Sequence, residues 1–142
     1  MIVVVDASVA LKWFFRSRDN EPDCDLALAI LTAVDEDRIR LFQPPHFVAE
    51  VAAVLGREKP HEAQDDLADL LTVEHAIVEH PGIYVAAIDL SIRLQHHLFD
   101  TLYHAVALNA ADATLVTADR RYYDKASGLG HITWLPEFQL RP

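Results

Sequence analysis

The chain has 142 residues, enough for one domain that buries roughly 70% of its unfolded surface. Hydrophobic residues make up 51% of it and charged residues 24%, and no apolar run approaches the roughly 20 residues that span a bilayer. Twelve basic and 22 acidic residues give a net charge of -10, which argues against a large basic surface that coats nucleic acid.

The first half of the chain alternates strand and helix patterns. Met1 leads directly into an apolar run at residues 2–5, which predicts a buried strand and leaves no room for a signal peptide. The segments that follow are predicted as a helix at 7–15, a loop at 17–23, a helix capped by Asn20 that ends near Arg38, a strand at 38–43, a helix from Phe47 closed by Gly56, and a helix that begins at Lys59 and Pro60.

The second half continues the alternation. Residues 78–84 fit either a short edge strand or a loop. The later segments are predicted as helices at 85–95 and 101–111, a buried strand at 113–119, a helical turn at 120–126 and an edge strand at 131–135. Strands separated by helices predict an α/β fold in three α/β/α layers, with a mostly parallel central sheet and one domain over residues 1–142.

The single cysteine, Cys24, excludes an intramolecular disulfide framework and is typical of a reducing compartment. Together with the absence of a leader and of a long apolar run, it predicts a cytoplasmic protein without a membrane partner.

Four acidic residues stand where an acid is unexpected. They are Asp6 and Asp119 at the ends of predicted buried strands, Glu50 in the apolar helix "FVAEVAAVL", and Asp100 at the start of "DTLYHAVAL". A buried carboxylate is costly unless it is paired, hydrogen-bonded or bound to a metal. Parallel strands end at one edge of the sheet, so these acids are expected to converge there. Such an oxygen-only cluster suits Mg²⁺ or Mn²⁺ better than zinc.

Each of these acids also has a structural interpretation. Asp100 is a favourable N-cap for the helix that follows it. Glu50 fits a position at the rim of a helix, while Asp6 and Asp119 could each begin a turn, and Asp119 could cap residues 120–126.

Two hydroxyl residues accompany the strand-end acids. Ser8 lies two positions after Asp6, and Thr117 lies two positions before Asp119. Hydroxyls at this spacing are suited to hydrogen-bond the carboxylates or water at a bound ion.

Three blocks of the chain resemble the successive motifs of the PIN-domain family, specifically the VapC-type toxins of prokaryotic toxin–antitoxin pairs. The blocks are "MIVVVDASVALKWF", "PPHFVAEVAAVL" and "LFDTLYHAVALNAADATLVTADRRYYDKA", whereas residues 75–84 match the family poorly. The resemblance implies an α/β/α fold, dependence on Mg²⁺ or Mn²⁺, and endoribonuclease activity. By motif position it assigns an acidic quartet and two hydroxyls, namely Asp6, Glu50, Asp100, Asp119, Ser8 and Thr117.

Phosphodiester hydrolysis requires an activated water, a polarised phosphate and a stabilised leaving oxygen, and one or two divalent ions can supply all three. The residues expected to hold metal, directly or through water, are Asp6, Asp100 and Asp119. Glu50 is expected to orient a water at the ion or to hold a second ion. Arg120 and Arg121 directly follow Asp119, so at least one of them is a candidate to contact a phosphate of the RNA substrate.

The expected partners are an RNA substrate, a small antitoxin protein and a second copy of the chain. Large apolar residues around Trp13 and Phe14, and around Phe47 and Val51, predict a surface for a homodimer. The resemblance implies an antitoxin whose apolar helix docks between the early helices and whose basic side chains pair with the acids.

Other functions remain open at this point. A zinc site at His97, Asp100 and His104 lacks the H-E-x-x-H spacing of a metalloprotease helix. A Mg²⁺-dependent phosphotransfer domain of the haloacid type needs a second aspartate where this chain has Ser8. A catalytically silent PIN fold that only binds RNA or protein is the remaining alternative, although the acidic quartet is complete.

Overall fold

A computed structural model describes every residue of the chain, Met1–Pro142. Five strands form one parallel sheet in the order β3-β2-β1-β4-β5. The strands are β1 (Ile2–Val5), β2 (Arg40–Gln43), β3 (Ala76–Ile77), β4 (Ala113–Thr117) and β5 (Ile132–Trp134). Seven α-helices connect them, and the mostly parallel three-layer α/β/α arrangement predicted from the sequence is confirmed.

The helices are α1 (Ala7–Ala10), α2 (Cys24–Asp35), α3 (Phe47–Glu58), α4 (Ala63–Thr72), α5 (Pro81–Leu94), α6 (Leu98–Leu108) and α7 (Arg120–Ala126). Short 3₁₀ turns follow α1, α7 and β5. None of these helices combines the length and the apolar character that crossing a bilayer requires.

The central strands are buried on both faces of the sheet. Successive side chains of a strand point to opposite faces, and Val3, Val4 and Val5 are all fully buried. Helices must therefore cover both faces, which is the reason that β1 is a continuous apolar run rather than an alternating one. Helix α6 packs across β1, β2 and β4, and α5 packs on α6.

Several predicted helix boundaries are wrong because tertiary contacts decide them. The cap expected at Asn20 does not form, since Lys12 Nζ bonds the Pro22 carbonyl oxygen at 2.7 Å and holds this segment as a loop until Cys24. Gly56 lies inside α3 instead of closing it. Helices α5 and α6 begin earlier than predicted, and Pro81 opens α5 because its fixed φ suits a first helical turn.

Three of the four residues named for the predicted homodimer surface are buried, and only Phe14 is half-buried. Trp13, Phe47 and Val51 are buried in the core, and the Trp13 indole nitrogen donates to the Ala27 carbonyl oxygen at 2.9 Å. Four of the eight large exposed apolar residues lie on α5, namely Tyr84 and the helically spaced Val85, Ile88 and Ile92; the others are Leu26, Leu71, Ile77 and Phe99.

Candidate metal centre

The predicted acids lie at the carboxyl edge of the sheet, where the chain connections diverge on either side of β1. In the strand order β3-β2-β1-β4-β5, the crevice between β1 and β4 is the switch point at which open α/β sheets bind ligands. Val5 pairs with Val116, and the Asp6 amide extends the ladder by donating to the Val116 carbonyl oxygen at 3.0 Å. On the other side, Gln43 bonds both the amide and the carbonyl of Val5.

Asp6 caps α1 and is only 8% exposed. Its Oδ2 accepts from the Ser8 amide at 3.3 Å, from the Ser8 hydroxyl, and from the Thr117 hydroxyl at 3.4 Å. Burial, opposed by the Ser8 hydroxyl and reinforced by the Asp100 and Glu50 carboxylates, raises the pKa of Asp6 to about 7. Both predicted hydroxyls therefore converge on a single carboxylate.

Glu50 comes from the first turn of α3, and its Oε2 is buried without a hydrogen-bond donor. His46 Nε2 lies 3.1 Å from this oxygen, but its proton is directed at the Phe99 carbonyl oxygen 2.7 Å away. The two atoms are thus close without a hydrogen bond between them. A buried carboxylate oxygen with no donor is costly by itself, so this oxygen is available to a ligand.

Asp100 is the third residue of α6, and His97 caps that helix by accepting from the Phe99 amide. The N-cap interpretation of Asp100 is therefore wrong. Its Oδ2 lies 2.7 Å from His96 Nε2. Burial raises the pKa of Asp100, whereas the hydrogen bond from His96 acts in the opposite direction.

Asp119 follows β4 and caps α7, because its Oδ1 accepts from the Tyr122 amide at 3.2 Å. The expected capping role is thus present alongside its place in the cluster. Thr117 connects the two strand ends, since its hydroxyl accepts from the Asp119 amide at 3.0 Å and donates to Asp6.

The acids form two groups of possible ligands that share one member. One oxygen each from Asp6, Glu50 and Asp100 lies within 4.8 Å of the others, and the same holds for ligand atoms of Asp100, Asp119 and His96. Asp100 therefore belongs to both groups, and all four predicted acids are brought together around it.

The surroundings of the first group fit a hard cation. The donors are carboxylate oxygens, which Mg²⁺ and Mn²⁺ prefer. The Tyr103 hydroxyl is buried without a partner, and burial followed by the charges of Glu50 and Asp6 raises its pKa. Buried polar atoms without hydrogen-bond partners therefore lie beside carboxylates that repel one another. This pattern is expected where a cation and its bound water complete the site.

The basic residues next to Asp119 are directed into surface contacts or solvent. Arg120 pairs with Asp124 at 2.8 Å and lies over the Trp134 ring, while Arg121 is exposed. Lys125, in the same helix, contacts His96 at 3.2 Å.

The zinc interpretation has no support in the geometry. His104 is buried in the core, where its two ring nitrogens bond the Tyr122 hydroxyl and the Gly130 carbonyl oxygen. His97 is a helix cap. Sequence reasoning missed His96, although its position four residues before Asp100 was a usable signal.

Comparisons with known proteins agree with this architecture. A model of the PIN domain matches residues 3–128. The solved structure of VapBC2 from Rickettsia felis, bound to a DNA fragment from its promoter, has a chain with 16% sequence identity and a TM-score of 0.65 over 94% of this chain and 97% of that one. A chain of VapBC-1 from nontypeable Haemophilus influenzae has 16% identity and a TM-score of 0.61 over 94% and 96%. No curated protein matches the sequence.

Proposed function

Since the chain belongs to the PIN domain family, we propose that it is a metal-dependent endoribonuclease of the VapC type and the toxin of a toxin–antitoxin pair. The observation that carries the nuclease proposal is the pair of ligand groups that meet at Asp100. Bound Mg²⁺ or Mn²⁺ would activate water, polarise the scissile phosphate and stabilise the leaving oxygen.

The protein's own residues would prepare this site in different ways. Asp6, Asp100 and Asp119 would hold the ions, and Ser8 and Thr117 keep the Asp6 carboxylate in one orientation. Glu50, whose Oε2 has no donor, would orient a water or hold a second ion.

The direct test is cleavage of RNA by the purified chain. Activity should require Mg²⁺ or Mn²⁺, disappear in EDTA and disappear in Asp6→Asn. The matched control is Asp112→Asn, which removes an exposed carboxylate outside the cluster and should leave cleavage unchanged. Cleavage that persists in chelator would show that the proposed mechanism is wrong.

The proposed antitoxin has a groove available beside the early helices. A cavity of about 500 Å³ is lined by apolar side chains that include Phe14, Leu28 and Leu31, and by three carboxylates and two basic side chains, of which Lys59 is paired with Asp66. An amphipathic helix with basic residues on its flank would complement both surfaces. The carboxylates of the proposed metal centre would form an ion pair with a further basic side chain of the partner. That side chain would compete with the cation for the same oxygens.

Co-expression with the small gene next to this one tests the partner. We expect a stable complex without RNase activity, and Leu31→Glu should weaken it while the exposed control Leu71→Glu should not. If the chain is tolerated alone and co-purifies with nothing encoded nearby, the toxin proposal fails and the nuclease proposal stands. A polar substitution of buried Trp13 would disturb the core and is unsuitable for this test.

A homodimer is proposed through α5 in place of the surface first predicted. Val85, Ile88 and Ile92 are 67%, 50% and 72% exposed and lie along one face of the helix. A two-fold pairing would bury this face against its own copy. Light scattering should report a dimer at micromolar concentration and a monomer for Ile88→Glu, with Leu71→Glu as control. A monomeric wild-type chain would contradict the proposal.

A further inference from the structure

His96 occupies a tightly held turn between α5 and α6. Gln95, just before it, adopts a left-handed conformation with φ of 48°. The His96 amide donates to the Ser91 carbonyl oxygen at 3.1 Å, and the Ser91 hydroxyl donates to the His96 carbonyl oxygen at 2.6 Å. The backbone that carries this imidazole is therefore fixed on both sides.

The imidazole ring is fixed as well. Its side chain is only 9% exposed and packs against Tyr122, with ring centroids 4.8 Å apart and planes inclined by 54°. Tyr122 is itself anchored, because its hydroxyl bonds His104 Nδ1 at 2.9 Å. The His96 ring therefore packs against a neighbour that is itself held in place.

Both ring nitrogens have partners, and these partners determine where the proton lies. Nδ1 is 3.2 Å from Lys125 Nζ, and Nε2 is 2.7 Å from Asp100 Oδ2. An ammonium group has no acceptor, so Nδ1 must accept, and the ring proton must be on Nε2. Lys125 Nζ also donates to the Gln95 carbonyl oxygen at 3.1 Å, which holds the ammonium in place.

We propose that His96 is a positioning residue that fixes the Asp100 carboxylate for cation binding, in the tautomer set by Lys125. The inference rests on the proposed metal centre and makes His96 a donor to Asp100 instead of a ligand of the second group, so the acids alone would hold the cation there. The His96 proton holds Oδ2, while Oδ1 accepts no hydrogen bond from the protein. The carboxylate is thus oriented before an ion arrives, and less rotamer freedom is lost on binding.

Two substitutions separate the proton donor from the packing. His96→Phe keeps a ring against Tyr122 but removes the donor, whereas His96→Gln removes the ring but keeps an N–H at the end of the side chain. The matched control is His97→Ser, which changes the neighbouring histidine and retains a favourable N-cap. The readout is equilibrium affinity for Mn²⁺, measured from the electron paramagnetic resonance signal of the free ion, with thermal unfolding in EDTA to check each fold.

We expect affinity to fall by roughly 10- to 100-fold in His96→Phe, as for other residues that orient metal ligands. Affinity in His96→Gln should fall much less, and His97→Ser should match the wild type. The opposite order, with His96→Phe retaining affinity and His96→Gln losing it, would show that His96 acts by packing and would overturn the proposal.

A nitrogen bound to Mn²⁺ in the pulsed spectrum of the wild type, and lost in His96→Gln, would make His96 a ligand and would also overturn it. A wild-type chain that binds no Mn²⁺ would instead refute the metal centre and this inference with it. If the wild type binds Mn²⁺ and His96→Phe binds it with the same affinity, this inference is refuted and the metal centre stands.

Discussion

Replacing Asp6 by Asn should make the metal-free chain more stable at pH 8, although it removes a residue of the proposed active site. The reason is that burial and the neighbouring carboxylates raise the pKa of Asp6 from 3.8 to about 7 in the fold. Asn retains an oxygen that can accept from Ser8, so the substitution removes the charge and preserves the shape.

The sign and the size of this stability difference follow from the pKa of Asp6 in the unfolded chain and in the fold. The folded state holds the Asp6 proton more tightly than the unfolded state, so the free energy of unfolding falls as the pH rises from about 4 to about 7. At 1.36 kcal/mol per pKa unit, the penalty is about 2 kcal/mol at pH 5 and about 4 kcal/mol at pH 8. Asn does not titrate, so the difference between Asp6→Asn and wild type should grow by about 2–3 kcal/mol between these pH values.

Urea denaturation in EDTA at pH 5 and pH 8 measures this difference, with Asp112→Asn as the control for removal of one exposed carboxylate. Burying the introduced amide has a cost that does not depend on pH. This cost cancels when the stability difference at pH 5 is subtracted from that at pH 8. Added Mg²⁺ should stabilise the wild type at pH 8 and should leave Asp6→Asn unchanged, because a cation stabilises only the state that binds it. If the difference in EDTA is the same at both pH values, the reasoning about Asp6 is wrong.

Three further outcomes follow from contacts of Asp6 and of Val5, the strand residue before it. Gln43→Leu should destabilise the chain by about 2–4 kcal/mol in urea denaturation, because the buried amide and carbonyl of Val5 both lose their partner. Ser8→Ala should raise the pKa of Asp6 by about one to two units in an NMR titration, since a hydrogen bond to a charged group is worth about 1.5–3 kcal/mol. Glu50→Gln should lower the pKa of Asp6 in the same titration, because one repelling charge is removed.

The sheet could be predicted from the sequence because its strands obey a strong local rule. Val3, Val4 and Val5 form an uninterrupted apolar run, and only a strand covered on both faces has that pattern. Once the strands are parallel, their carboxyl ends must share an edge, which brings Asp6 and Asp119 into one region of the fold. The edge was therefore predictable without any knowledge of the intervening helices.

Some contacts could not be predicted because the sequence does not show which face of a helix or strand packs against which neighbour. Trp13 and Phe47 have the same hydrophobicity whether they are buried or form an interface, and only the packed fold shows that they are core residues. His96 is similar, because its role depends on a turn whose geometry is set by Ser91 and Gln95. Hydrophobic periodicity carries no information about such a turn.

The acids were conspicuous in the sequence for the same physical reason that they are costly in the fold. Asp6 ends a strand that is otherwise wholly apolar, and Glu50 interrupts an apolar helix, so each breaks the pattern of its own element. In the structure these two side chains repel each other, and a buried Glu50 oxygen and the Tyr103 hydroxyl lack partners nearby. Sequences are otherwise locally consistent with their folds, so departures that converge on one place indicate selection for a property other than stability. A bound cation would offset the repulsion and occupy the free oxygen, so the stability of this fold and its activity should depend on the same ion.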